Sequence, residues 1–337
     1  ILINLGNLKE AEAIYRKVIQ INPNYSKAYL NLGSILIDQG NLEELIKLSK
    51  SILKSKSFNK GYKLLASLRI TIAYLLKGDF TETFSSIDKT NKLIKQGAIK
   101  IIKEENYRKY ALNFSTFINA LFPLLEKEKI YSNLDKIPHF GESHSLSFAH
   151  QTIKISTEFL QIQPVLITGA KAWHFSTKKN NQWKTSLKHQ IKDHTYCSRA
   201  LISFGEIDCR KDEGILNYSD KNNKNISDVC ERTIQGFLDY MEKILSPYYS
   251  KRYYFGIPAP INKTKIPDEL DVKRVHLVKS YNKYLKKEVL SRGAYFLDIY
   301  AFTSNKYGEN NKLHMCDTYH LSPQCLTDLF KNHLCKA

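Results

Sequence analysis

The sequence contains no apolar run approaching the roughly 18 to 20 residues of a membrane span, so no segment is expected to insert into a bilayer. It also has no C-x-x-C pair. The six cysteines, Cys197, Cys209, Cys230, Cys316, Cys325 and Cys335, are scattered through the second half of 337 residues, a pattern that argues against a zinc site and a dense disulfide framework. Reduced, structural thiols in a cytoplasmic protein are the preferred reading, and no metal or other cofactor is expected. No run of five basic residues occurs, although 51 Lys and Arg against 33 Asp and Glu leave a net charge of +18. Up to residue 130 there are 21 basic and 12 acidic residues, and beyond it 30 and 21, so the excess is diffuse. Without a clustered basic face, no nucleic-acid partner is expected.

What the chain does have is apolar content, 42% hydrophobic and 12% aromatic residues, enough at this length for two domains with their own cores. The sequence opens at Ile1 inside a recognisable repeat, so further repeats are expected to precede it.

The glycines of "GNLKEAEAIYRKVIQINPN" (6–24) and "GNLEELIKLSKSILKSKSF" (40–58) stand 34 residues apart, as do Asn7 and Asn41, Leu8 and Leu42, and Glu10 and Glu44. Each block reads as a turn followed by an amphipathic helix, and Ala28, Leu32, Gly33, Ile35 and Leu36 offer small and large apolar faces for nesting helices. Pro23 closes the first copy, because proline cannot continue a helix interior. A weaker third copy ends at Gly78-Asp79-Phe80, and residues 98–125 read as one or two helices covering the open end of the stack.

From about Ile130 the pattern changes to short apolar runs separated by helical stretches. Strands are expected at 137–140, 164–168, 200–204, 253–257 and 294–299, with "QTIKISTEFLQIQ" (151–163) adding a strand or hairpin. Long helices are expected over "SDVCERTIQGFLDYMEKIL" (227–245) and "LDVKRVHLVKSYNKYLKKEVLSRG" (270–293). Such alternation implies an α/β unit with a mostly parallel sheet and helices on both faces. The expected domains are therefore 1–129, helical repeats, and 130–337, α/β.

In a parallel sheet the polar residues just beyond the strands converge along one edge. Here they are "GESHS" (141–145), Gly169 followed by "AKAWHF", "GEIDCR" (205–210) and, past the last strand, "CDTYHLSP" (316–323). Serine becomes a nucleophile when an imidazole takes its proton, and the imidazole works best when a carboxylate fixes its tautomer. Ser143, His320 and Asp317 supply these three groups. Backbone N–H groups of Ser143 and Gly169 are the natural donors to an oxyanion, and a glycine at 169 lets substrate approach the backbone. Structural readings stand beside these: Gly141 supplies a bend, Ser145 caps a helix, Asp317 and His320 cap the segment after them, and Glu206, Asp208 and Arg210 form an ion-pair network.

The ordered set "GESHS", Gly169, "GEID" and "DTYHL" resembles the SGNH, or GDSL-like, hydrolase superfamily over residues 130–337, and the 34-residue repeats resemble the tetratricopeptide repeat. The first resemblance implies a three-layer, flavodoxin-like domain in which Ser143 is the nucleophile, His320 the general base, Asp317 its orienting acid and Gly169 an oxyanion donor. Glu142 stands where the family has Asp. Ile207 stands where it has an oxyanion-binding Asn, and loss of one such donor typically costs about a hundred- to a thousandfold in turnover. Arg210 or His144 is expected to replace it, with Glu206 part of the same substrate-side cluster. The activity implied is hydrolysis or transfer of an acyl ester, by family habit that of a glycan. An all-α tetratricopeptide-like solenoid implies a protein or peptide partner on its concave face. The competing expectation is a non-catalytic scaffold carrying a degenerate ligand-binding domain.

Overall fold

The computed structural model describes residues 2–125, 134–262 and 267–336. The expected domain boundary at 129/130 lies outside the described residues. Two compact units separate, one formed by Ile1–Glu126 with Asn180–Gln190, the other by Lys127–Lys179 with Ile191–Ala337.

The first unit is helical. Helices α1 (Leu8–Ile21), α2 (Ser26–Asp38), α3 (Leu42–Lys54), α4 (Lys60–Lys77) and α5 (Phe80–Lys95) pack in sequential pairs, and the short α6 (Ala98–Ile101) and long α7 (Glu105–Leu125) follow. Gly6, Gly40 and Gly78 fall at the turns the spacing predicts. Helices α2 and α4 pack on each other, and Ala28, Leu32, Ile35 and Leu36 of α2 and Leu64, Leu65 and Leu68 of α4 are buried. Helix α7 packs on α4 and α5, and its Tyr107 hydroxyl donates to Asn31 on α2 at 2.8 Å. Residues 180–190 join this unit: Ser186 Oγ donates to the Asp38 carbonyl at 2.7 Å and Gln190 to that of Ile37 at 3.3 Å. The first contact satisfies the Asp38 carbonyl at the end of α2, whereas the Ile37 carbonyl also accepts the Gly40 N–H at 3.0 Å.

The second unit is α/β. Its strands are β1 (Lys136–Gly141), β2 (Thr152–Ile155), β3 (Glu158–Leu166), β4 (Arg199–Ser203), β5 (Lys251–Phe255), β6 (Tyr295–Leu297) and β7 (Leu334–Cys335). They form one sheet in the order β2-β3-β1-β4-β5-β6-β7. The five inner strands are parallel, and β2 and β7 are antiparallel edges. The stretch 151–163 thus makes a tight hairpin, turning at Ser156 with φ of 58°, and β3 begins six residues before the expected start at 164. Between or after the strands in the chain run α8 (His144–Ser147), α9 (Ala172–Ser176), α10 (Gln182–Lys192, most of which belongs to the first unit), α11 (Ile215–Asn222), α12 (Ile226–Leu245), α13 (Glu269–Ser291), α14 (Ile299–Thr303) and α15 (Leu326–Asn332).

Successive strand residues point to opposite faces, and both faces are buried. Ile137, Ile162, Leu201, Tyr253, Phe255 and Leu297 join Leu326, Leu329 and Phe330 of α15 in one core. On the other face Tyr254 meets Phe237 of α12, which also touches Phe175 of α9 and Phe204. Burying both faces explains why these strands read as continuous apolar runs. Among the described residues no helix is long and apolar enough to cross a membrane.

Candidate active site

Parallel pairing carries β1, β3, β4 and β5 to a common carboxyl edge, with Gly141 opposite Leu166 on one side and Ser203 on the other. The chain passes from β1 to β3 on one flank and then to β4 on the opposite flank. Such a reversal of strand order, here between β1 and β4, is the usual ligand position in open sheets. Gly141 does not make the bend expected of it; it ends β1, where an added Cβ would collide with Ser203 Oγ. Ser143 follows one residue later, after Glu142, and precedes α8, while Ser145, expected as the cap, lies inside that helix and donates its hydroxyl to the Glu142 carbonyl at 2.9 Å.

Three side chains distant in sequence meet here. Ser143 Oγ lies 2.8 Å from His320 Nε2, and His320 Nδ1 lies 2.8 Å and 3.0 Å from the two Asp317 oxygens. Asp317 Oδ1 also accepts the backbone N–H groups of Tyr319 and His320, each at 2.7 Å, so the Asp-Thr-Tyr-His turn is closed on itself. Burial alone would raise the Asp317 pKa, but the His320 bond and charge together with these N–H donors hold it at about 2. Asp317 therefore stays ionised and keeps the His320 proton on Nδ1, so that Nε2 is the acceptor facing Ser143 Oγ. Burial, aided by the neighbouring His144 charge, lowers the His320 pKa below 6.5 against the opposing pull of Asp317.

A second carboxylate–imidazole pair lies against the first. His144 Nδ1 donates to Glu142 Oε1 at 2.5 Å, and Nε2 donates to the Tyr319 carbonyl at 2.9 Å. Burial favours neutral His144, but the charge and hydrogen bond of Glu142 outweigh it and push the pKa up to about 9. Glu142 is held at about 2, the His144 charge and bond overcoming its own burial. Because both His144 nitrogens face acceptors, the ring is an imidazolium, with its centroid 4.6 Å from that of His320. Glu142 Oε2 also lies 2.7 Å from Ser143 Oγ. The single hydroxyl proton of Ser143 thus has two acceptors, His320 Nε2 and Glu142 Oε2.

Gly169, two residues beyond Ile167, has φ of 64°, and the space where a Cβ would stand is open. Among the described residues, no bond is made by the backbone N–H of Ser143 or Gly169. The loop bearing Gly169 is tied down by Asp208, which accepts the N–H groups of Ala172 at 2.8 Å and Trp173 at 3.0 Å at the start of α9. Burial raises the Asp208 pKa to about 6 despite these donors. Asp208 is thus an anchor for α9 and not a member of the ion-pair network expected for it.

That network consists of other residues. Arg210 reaches Glu206 Oε2 with Nη2 at 2.6 Å and Nε at 2.8 Å, and Arg274 Nη2 lies 3.5 Å from Glu206 Oε1. Both guanidiniums cover the Tyr319 ring, at 4.7 Å for Arg210 and 5.8 Å for Arg274. Ile207 is buried in the 3-10 turn between them and offers no donor. Tyr319 and Arg274 were missed by sequence reasoning; Tyr319 sat inside a quoted motif, whereas Arg274 on α13 carries no local signal. His174 is structural, its Nδ1 accepting the Lys171 N–H at 2.9 Å. His139 packs against Phe255 and bonds Ser203 Oγ at 2.9 Å. All six cysteines are free thiols.

One ligand atom each of Glu142, His144 and His320 lies within 4.8 Å of the others, a set that matches a metal site in composition. The same atoms already pair with one another and with Ser143, which fits acid–base chemistry as well.

Comparison with known proteins bears on the first unit. Residues 2–68 match the tetratricopeptide repeat family, which agrees with the helix pairs α1 to α4. No curated protein matches the chain.

Proposed function

We propose that the α/β unit is a serine ester hydrolase or acyltransferase of SGNH type, preceded by a tetratricopeptide-type array that binds a protein or peptide. The observation that carries this reading is the relay Ser143 Oγ, His320 Nε2, His320 Nδ1, Asp317, with both links at 2.8 Å. Support also comes from the order of the five parallel strands, which is that of flavodoxin-like sheets when they are counted along the chain, with Ser143 at the switch point.

In the proposed reaction Ser143 Oγ attacks the ester carbonyl as its proton passes to His320 Nε2. The backbone N–H groups of Ser143 and Gly169 receive the oxyanion. His320 then protonates the leaving alcohol as the carbon–oxygen bond breaks, and an acyl-serine remains. Water, or an acceptor hydroxyl, enters with His320 again as base and restores the serine. A glycan ester is the preferred substrate by family resemblance.

Of the two side chains expected to replace the missing Asn, His144 already donates from both nitrogens, whereas Arg210 commits three of its five N–H groups to Glu206 and Glu213. His144 contributes charge, since a fixed imidazolium beside His320 favours a developing anion. The non-catalytic scaffold remains the competing reading, and the apolar Ile207 is what favours it. Purified protein offered p-nitrophenyl acetate, beside Ser143→Ala, separates the two. The enzyme reading expects a loss of more than about a thousandfold in the variant. Equal rates would remove the serine mechanism.

A further inference from the structure

We infer that Tyr319 is a positioning residue for the general base, and that Glu206, Arg210 and Arg274 form the clamp that holds it. The inference rests on the serine mechanism above and adds a function for the Gly205–Arg210 loop, which lacks the oxyanion donor of related enzymes. Four segments converge on Tyr319. From the serine turn, His144 Nε2 donates to its carbonyl at 2.9 Å. From its own turn, Asp317 accepts its N–H at 2.7 Å. From the loop after β4 and from α13, the two guanidiniums lie against its ring at 4.7 Å and 5.8 Å. Glu206 pairs with both arginines and Glu213 with Arg210, and the two carboxylates offset the two positive charges, which lets both stand close together.

The consequence is geometric. His320 follows Tyr319 directly, and the separation of Nε2 from Ser143 Oγ is fixed only as well as the backbone of that turn. The ring attracts both guanidiniums through its π system, Arg274 being buried and Arg210 partly so, and such a contact is worth more where water is excluded. Releasing the ring frees the turn to shift, and a displacement of about 1 Å at a reacting atom costs about a hundredfold in rate. The loop after β4 thus serves the base from behind instead of meeting the oxyanion.

The test compares Tyr319→Leu, Tyr319→Phe and Ser143→Ala in the full chain with p-nitrophenyl acetate. Tyr319→Leu is expected to lower kcat about thirty- to a hundredfold with KM changed less than about threefold, while Tyr319→Phe, which keeps the ring, recovers most of the rate. Equal thermal melting of the two Tyr319 variants separates positioning from general destabilisation. The inference is overturned if Tyr319→Leu retains wild-type kcat while Ser143→Ala is inactive. It is equally overturned if Tyr319→Phe and Tyr319→Leu lose the same rate, because the ring then does no holding. If Ser143→Ala matches wild type, the serine mechanism itself fails, and the inference with it.

Discussion

Ser143 has neighbours of opposite charge on either side, Glu142 and His144, and their arrangement bears on the protonation of His320. The imidazolium of His144 and the burial of His320 both disfavour a second cation, so His320 remains neutral to a pH below the usual histidine value of 6.5. The sign follows directly: a depressed pKa means that His320 gains its proton only when pH falls past that lower value. The acid limb of kcat/KM, which reports the free enzyme's base, is therefore expected below pH 6.5. His144→Asn removes the neighbouring cation and is expected to move the limb upward. A pH–rate profile of both proteins checks this, and an unmoved or lowered limb in the variant contradicts it. At this scale the sequence was legible where chemistry has a local signature. Ser143, Asp317 and His320 stood in short motifs after strands, and their side chains lie within hydrogen-bond distance of one another. Tyr319 and Arg274 were not legible, because a tyrosine in a loop and an arginine on a helix are ordinary surface choices until tertiary packing brings them together.

Among the elements, α9 and its loop show how a polar residue serves structure at the edge of a site. The helix has only five residues, too few to hold its own N-terminus, and Asp208 takes two of its free N–H groups. Removing the carboxylate orphans buried donors at roughly 1–3 kcal/mol each, so Asp208→Ala is expected to lower unfolding stability by about 2–4 kcal/mol. Urea denaturation measures it, and a loss under about 0.5 kcal/mol would contradict the anchor. Element legibility followed the strength of each pattern. Strands β1, β4 and β5 were readable within two residues because they are buried on both faces, and α12 and α13 because they are long and periodic. Strand β3 began early since its first residues, Glu158 and Phe159, are exposed and pair only with the edge strand β2. A two-residue β7 has no periodicity to read. Residues 180–190 were unreadable as part of the helical unit, because "QWKTSL" is mostly polar and its burial comes from contacts made far away in sequence.

For the molecule as a whole, the repeat array was legible from a spacing of 34 residues, and the match of residues 2–68 to the tetratricopeptide repeat agrees with it. The α/β class was legible from alternation, and the sheet has the mostly parallel form that alternation implies. The activity proposed for the α/β unit rests on whether Ser143 is nucleophilic in the folded chain, a property that depends on the sheet edge, the Asp317–His320 turn and the Glu142–His144 pair together. Treatment with a fluorophosphonate, followed by peptide mass analysis, measures it without knowledge of the substrate. The account predicts one covalent phosphonyl group per chain, on Ser143, absent from Ser143→Ala and strongly slowed in His320→Ala. An unlabelled protein, or labelling that persists in Ser143→Ala, would contradict it.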